Sequence, residues 1–183
     1  MALPLRIAES EMPRAKRILV AIDEFRRCRR LIEYAAALAG GGRDFTVCLF
    51  HAVGPMPPQL LETPGAEGAA EEERVQERQA RAQEEWLGET RSQLEPQFES
   101  ERSRLIAAGI PGDAIVTRLV VLNQRGDLVQ EIVKAACETR CGTILVGRNS
   151  YPWLKEQFHS HVSEKLMDEV KDAAICVLSD SSS

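Results

Sequence analysis

Four places in this chain carry residues able to do chemistry. Asp23 closes the apolar run Arg17-Ile18-Leu19-Val20-Ala21-Ile22, and His51-Ala52 closes the run that begins at Phe45. Gly147 closes Thr143-Ile144-Leu145-Val146 and opens a polar stretch that holds Ser150, His159, Ser160, His161, Val162 and Ser163. Cys137 and Cys141 stand one helical turn apart. A phosphate site needs glycines, so that backbone N–H groups can approach the oxygens, and a helix N-terminus to favour the charge. Gly147 meets the first need, but no second glycine follows before Ser163. Ser160 and Ser163 read two ways, as caps of the helix that starts near Val162 or as weak anion ligands. Asp23 also reads two ways, as the cap of a helix starting near Phe25 or as a carboxylate turned to a ligand. His51 reads as a packed strand-end histidine. His159-x-His161 has no cluster of carboxylates or cysteines beside it in sequence, so no metal is expected. Five scattered cysteines, an odd number, do not form a disulfide framework. Packing explains Cys137 and a helix end explains Cys141.

These residues must be held by elements that the sequence announces. Arg17 to Asp23 is short, apolar and rich in branched residues, the mark of a strand buried on both faces. Phe25, Cys28, Ile32, Ala35 and Ala39 recur at helical spacing, and Gly40-Gly41-Gly42 stops that helix. Phe45 to His51 is a second buried strand. Strand, helix and strand make one βαβ unit with a parallel pair. Gly54 to Gly68, rich in Pro and Gly, must be a loop, and Pro57-Pro58 rules out helix there. From about Ala69 to Ala108, Glu, Arg, Gln and Ala dominate, all good helix formers. Leu87, Leu94, Phe98 and Leu105 fall on one face, and Pro96 is expected to kink or split the helix. Glu71 to Glu85 has only Val75 as a large apolar residue, which suits a solvated face or a contact with another subunit. Ala114 to Leu122 supplies a third strand. Asp127 with Gln130 resembles a capping box opening an amphipathic helix through Cys137. Thr143 to Gly147, a helix striped by Val162, Leu166 and Val170, and a strand from Ala173 to Leu178 complete the order. Five strands alternating with helical regions predict an α/β fold with one doubly wound parallel sheet. The expected organisation is a flexible tail over 1–15, a domain over 16–179 and a polar tail over 180–183. The domain includes an extended charged helical region over 67–109.

Composition bounds the function. The 183 residues suffice for one domain with a real core, and 44% hydrophobic with 28% charged content is ordinary for a globular chain. The net charge of −5 gives no support to nucleic-acid binding by phosphate neutralisation. No apolar run approaches the roughly 20 residues that span a bilayer. Met1 to Lys16 lacks the apolar core of a signal peptide, so a cytoplasmic location is expected. No nucleophile elbow, P-loop or Rossmann fingerprint is present, which argues against an enzyme of another doubly wound family. Asp23-Glu24-Phe25 follows the first strand with no glycine, which argues against dinucleotide binding.

The order of these pieces resembles the universal stress protein family over roughly residues 15 to 179. The resemblance rests on Arg17 to Asp23 with its following helix, Leu49-Phe50-His51-Ala52, and Ile144-Leu145-Val146-Gly147-Arg148. It continues through Val162-Ser163-Glu164-Lys165-Leu166 and closes at Ile175-Cys176-Val177-Leu178. It implies a flavodoxin-like fold and a homodimer, often paired through the last strand, here Ala173 to Leu178. Members that bind ATP resemble one another in a loop written G-x2-G-x9-G-[ST]. Gly147 matches the first glycine, while Ser150 and Ser160 stand at the next two and His161 at the Ser/Thr position. Val162 and Ser163 fit the pattern that follows. Asp23 matches the family's acidic residue near adenine, and Ala52 and Val146 fall at adenine-packing positions. Tyr151-Pro152-Trp153 add bulk, and the non-binding kind also carries a bulky loop with Trp at this place. The resemblance therefore implies a non-catalytic stress-response protein with a degraded nucleotide site. The alternative is an ATP-binding switch, with slow or no hydrolysis, using the same residues.

Overall fold

The computed structural model describes residues 16–40, 44–62, 68–123, 127–147 and 162–179. Its strands are β1 (Arg17–Ile22), β2 (Thr46–Val53), β3 (Ile115–Val121), β4 (Thr143–Gly147) and β5 (Ala174–Leu178). Its helices are α1 (Arg29–Ala39), α2 (Pro58–Leu61), α3 (Ala69–Ala107), α4 (Leu128–Glu138) and α5 (Val162–Glu169). The strands form one sheet in the order β3-β2-β1-β4-β5, and every pair is parallel. The chain builds outward from β1 to β3 and then crosses back to β4, so the order reverses between β1 and β4. This is a doubly wound sheet, as the alternation of the sequence predicts.

Side chains alternate along each strand, so each strand feeds two cores. Leu19, Ala21, Phe50, Ala52, Ile144 and Val146 face α4 and α5, where Ile132 and Leu166 are fully buried. Ile18, Val20, Ile22, Leu49 and Leu145 face α1 and α3, where Ile32, Phe98 and Leu105 close the other core. Burying each such Leu or Ile stabilises the fold by about 1.5–3 kcal/mol. The central strands are apolar on both faces for this reason. β3 lies at an edge, and Val116 is 46% exposed there.

Several local expectations are corrected. Pro57-Pro58 does not exclude helix: Pro58 opens α2, a position where its missing N–H is no loss. Pro96 does not split α3, which runs unbroken for 39 residues, about 58 Å at the usual rise. The helix after β1 begins at Arg29 with Cys28 at its N-cap, so Asp23 is not its cap. Asp127 occupies the N-cap of α4 with helical backbone angles and makes no side-chain cap hydrogen bond, so the capping box does not form. The barren start of α3 is covered on one side by α2. The side-chain amides of Gln79 and Gln83 donate to the carbonyl of Leu60 at 3.1 and 2.7 Å, and Val75 is buried.

Two helices end by one device. At the end of α3, Gly109 sits at φ 96, and Ile110 N–H donates to the Leu105 carbonyl. At the end of α4, Arg140 sits at φ 53, and Cys141 N–H donates to the Ala136 carbonyl. Both are Schellman turns, in which a left-handed residue lets the chain leave the helix while satisfying its last carbonyls. Leu105 and Ile110 are both buried, as the hydrophobic contact of that turn requires. Gly40 ends α1 in the left-handed region as expected.

Candidate functional site

The carboxyl ends of β1, β2 and β4 meet where the strand order reverses, which is where such sheets hold ligands. Pairing sets the geometry. Ile22 lies opposite His51, Ala21 lies between Phe50 and Val146, and Gly147 pairs with Leu178. Asp23 therefore emerges beside the ends of both neighbouring strands, and it is half-buried. Ser163 lies in the first turn of α5 and is 8% exposed, while Val162 packs on the core beside it. The tertiary structure thus gathers Asp23, Ala52, Val146, Gly147, Val162 and Ser163 at one end of the sheet. Ser150, Trp153, His159, Ser160 and His161 lie outside the described residues.

The two positions matched to adenine packing are deeply buried: Ala52 is 3% exposed and Val146 0%. Both belong to the core against α4 and α5. His51 follows the alternation to the opposite face. Its Nδ1–H donates to the Ile22 carbonyl at 2.9 Å, which fixes the tautomer because a carbonyl only accepts. Its ring centroid lies 5.0 Å from that of Phe25 and 6.3 Å from that of Phe98. Phe25 and Phe98 meet edge to face at 5.0 Å. Burial lowers the His51 pKa, against the smaller raising effects of the Ile22 carbonyl and the Asp23 charge. Desolvation of the imidazolium outweighs these two partners, and the ring is held neutral at pH 7.

The sequence reading missed this ring cluster. Phe25, Phe98 and His51 come from three separate segments; each reads in the sequence as a packing residue, and nothing in the spacing links the three.

Three of the thiols are not poised for reaction. Burial pushes Cys28 and Cys48 up to about 12, and it also raises Cys141. A thiol is a nucleophile only as thiolate, so these three are held inert at neutral pH. Cys28 Sγ–H donates to the Phe25 carbonyl at 3.1 Å. α4 ends before Cys141, which forms the last position of the Schellman turn, while Cys137 is exposed on the helix. Among the described residues no group of three or more His, Cys, Asp or Glu side chains could hold a metal ion. No described helix is long and apolar enough to cross a membrane.

Comparison with known proteins places this geometry. No curated protein sequence matches the chain significantly. Among solved structures, the hypothetical protein MJ0577, studied for structure-based assignment of biochemical function, superposes with a TM-score of 0.60. It is 17% identical over 92% of this chain and 98% of that one. A universal stress protein family member from Burkholderia pseudomallei gives 0.53, with 18% identity over 91% of this chain and 97% of that one. A universal stress protein in complex with cAMP gives 0.51, with 16% identity over 90% and 97% of the two chains. At these identities the likeness is one of fold. The sequence model of the Universal stress protein family matches residues 14–176, nearly the whole domain, and on that match the chain belongs to the universal stress protein family.

Proposed function

We propose that this chain is a regulatory member of its family that performs no catalysis. It acts through self-association and contacts with partner proteins, and its nucleotide site no longer holds ATP. One observation carries the reading: Ser150 and Ser160 stand where ATP-binding members have glycine, and His161 stands where they have Ser or Thr. Each serine adds a Cβ where backbone must approach phosphate. Where the position needs a positive φ, the residue costs about 1 kcal/mol before any clash with ligand. The burial of Ala52 and Val146 supports the same reading, since little of either side chain is open to a base.

A second reading, an ATP-binding switch with slow or no hydrolysis, draws on the grouping of Asp23, Gly147 and Ser163 at one end of the sheet. The fold likeness to a universal stress protein bound to cAMP also favours it. Calorimetric titration of the nucleotide-stripped protein with ATP and magnesium decides between them, after mass spectrometry of the protein as purified. We expect no heat and no co-purified nucleotide. Micromolar binding that is lost in Asp23→Ala would establish the switch instead.

The proposed homodimer pairs through β5. The strand is at the sheet edge, and Val177 is 37% exposed on it. An uncovered edge offers unpaired N–H and C=O groups to a second copy. Val177→Lys is expected to shift sedimentation from dimer to monomer; an unchanged dimer would move the interface elsewhere. A cytoplasmic place of work completes the reading, supported by five cysteines that are all free.

A further inference from the structure

One helix flank carries apolar side chains that the fold leaves uncovered. α1 buries Leu31, Ile32, Ala35 and Ala39 in the core against the sheet. Away from that core Tyr34 is 38% exposed and Leu38 40%, and Ala37 is exposed beside them. Positions three and four residues apart are neighbours on a helix, so the three form one patch. Apolar residues exposed singly are ordinary, whereas a contiguous patch marks a contact. Arg30 stands one turn before Tyr34 on the same line of the helix. Its guanidinium donates to the carbonyl of Ser179, the residue after β5. The flank of α1 that bears Arg30 therefore faces β5, whose Cys176 and Leu178 pack against the same core. Leu38 lies two turns further on, about 12 Å along the helix axis. Because α1 runs back across the sheet to reach β2, the patch follows β5 toward its amino end.

A homodimer through β5 needs more surface than the strand supplies. β5 has 5 residues, which makes it about 17 Å long, and a sheet edge is about 10 Å thick. The flat area of that edge is roughly 170 Å² per copy. A stable interface takes about 800 Å² per partner. Most of the contact must therefore come from surface beside the strand. A closed pair uses the same edge on both copies, related by a twofold axis normal to the sheet. The two β5 strands are then antiparallel, and each face of one sheet continues into the same face of the other. The α1 helices of both copies lie on one side of the joined sheet, each with its Arg30 flank toward the axis. The Arg29 guanidinium and the Glu33 carboxylate beside the patch pair with each other at 2.8 Å. That pair is neutral as a unit, so two identical copies do not bring like charges together there.

We propose that the flank of α1 formed by Tyr34, Ala37 and Leu38 is the second half of the homodimer interface, and that a second copy of this chain occupies it. The inference rests on the proposed pairing of β5. The strand edge sets the register of the two copies through its backbone groups. Tyr34 and Leu38 supply the apolar area that the edge lacks, with the Tyr34 hydroxyl left at the wet rim. Arg30 ties the end of β5 to α1, so that strand and helix meet the second copy as one surface.

Sedimentation of the full chain over a range of concentrations tests this, with wild type, Val177→Lys and the double variant Tyr34→Ser/Leu38→Ser side by side. The expected result is a wild-type dimer whose dissociation constant rises roughly tenfold or more in the double variant. Both side chains are exposed, so the double variant should keep the wild-type urea midpoint at a dilution where both proteins are monomeric. An unchanged dissociation constant in the double variant, beside a monomeric Val177→Lys, overturns the role of α1 and leaves the pairing through β5 standing. A lowered urea midpoint also overturns it, since Tyr34 and Leu38 would then serve their own fold. A dimer weakened by the double variant but not by Val177→Lys overturns the joint surface and the β5 pairing together. A wild-type chain that stays monomeric at every concentration overturns both as well.

Discussion

Glu101 is the residue in this core whose chemistry and surroundings disagree most. It faces inward from α3 and is 5% exposed. Its Oε2 accepts no hydrogen bond, and the Arg104 Nε nearest it is 3.5 Å away. Burial raises its pKa above the ordinary 4.5, while the Arg104 charge and the Cys28 thiol pull it back in part. A carboxyl whose pKa is higher folded than unfolded binds its proton more tightly when folded. Folding is then penalised at pH above both values, and the penalty fades as the pH falls through the raised value to below 4.5. Glu101→Gln is therefore expected to raise the urea midpoint at pH 7, with the gain shrinking toward pH 4. A gain that persisted unchanged at pH 4 would point to packing rather than charge. Arg140 holds a second local conflict. It occupies the left-handed position that Gly109 fills at the end of α3, and a side chain there costs about 1 kcal/mol. Arg140→Gly should gain about that much in urea unfolding, while Arg140→Ala, which keeps the Cβ, should gain nothing.

At the scale of elements, α3 is the part that most needs explaining. Its carboxyl third is anchored by Phe98 and Leu105, with Leu94 packed beside them. The turns before Leu94 are mostly exposed and are held to α2 through Gln79 and Gln83. Pro96 sits on the exposed side between Leu94 and Phe98. There it lacks the N–H that would bond to the Ser92 carbonyl, and its ring crowds that oxygen. Pro96→Ala should stabilise the fold by about 1 kcal/mol or more in urea unfolding. A loss instead would mean that the proline's bend is needed to seat Leu94 and Phe98 together. Truncation of the Phe98 ring is the complementary test of the anchor. Phe98→Ala should cost about 3–5 kcal/mol, because it empties the space between Phe25 and the α1 core.

At the scale of the whole molecule, the reversal between β1 and β4 decides which strand ends become neighbours. It brings the end of β1 at Asp23 beside the end of β4 at Gly147, more than a hundred residues later in the chain. Alternation along β2 sorts neighbours to opposite faces, so that Ala52 faces the core against α4 and α5 while His51 borders a cavity on the other side.

The sequence by itself determined the strands, their order along the chain and the doubly wound class. Runs such as Ile18 to Ile22 and Ile144 to Val146 are apolar at every position, and only a strand covered on both faces buries them. The family was legible for the same reason, since the spacing from Asp23 to His51 to Gly147 is set by the elements between. Tertiary structure decided what local rules could not. Pro96 stays within one helix because packing at Leu94, Phe98 and Leu105 on both sides of it outweighs the local penalty. Asp23 is freed from capping because the chain makes a turn before α1 begins. The cavity at His51 exists because β2, the segment after β1 and a helix turn some fifty residues later converge on one place. Contacts of that range leave no period in a sequence.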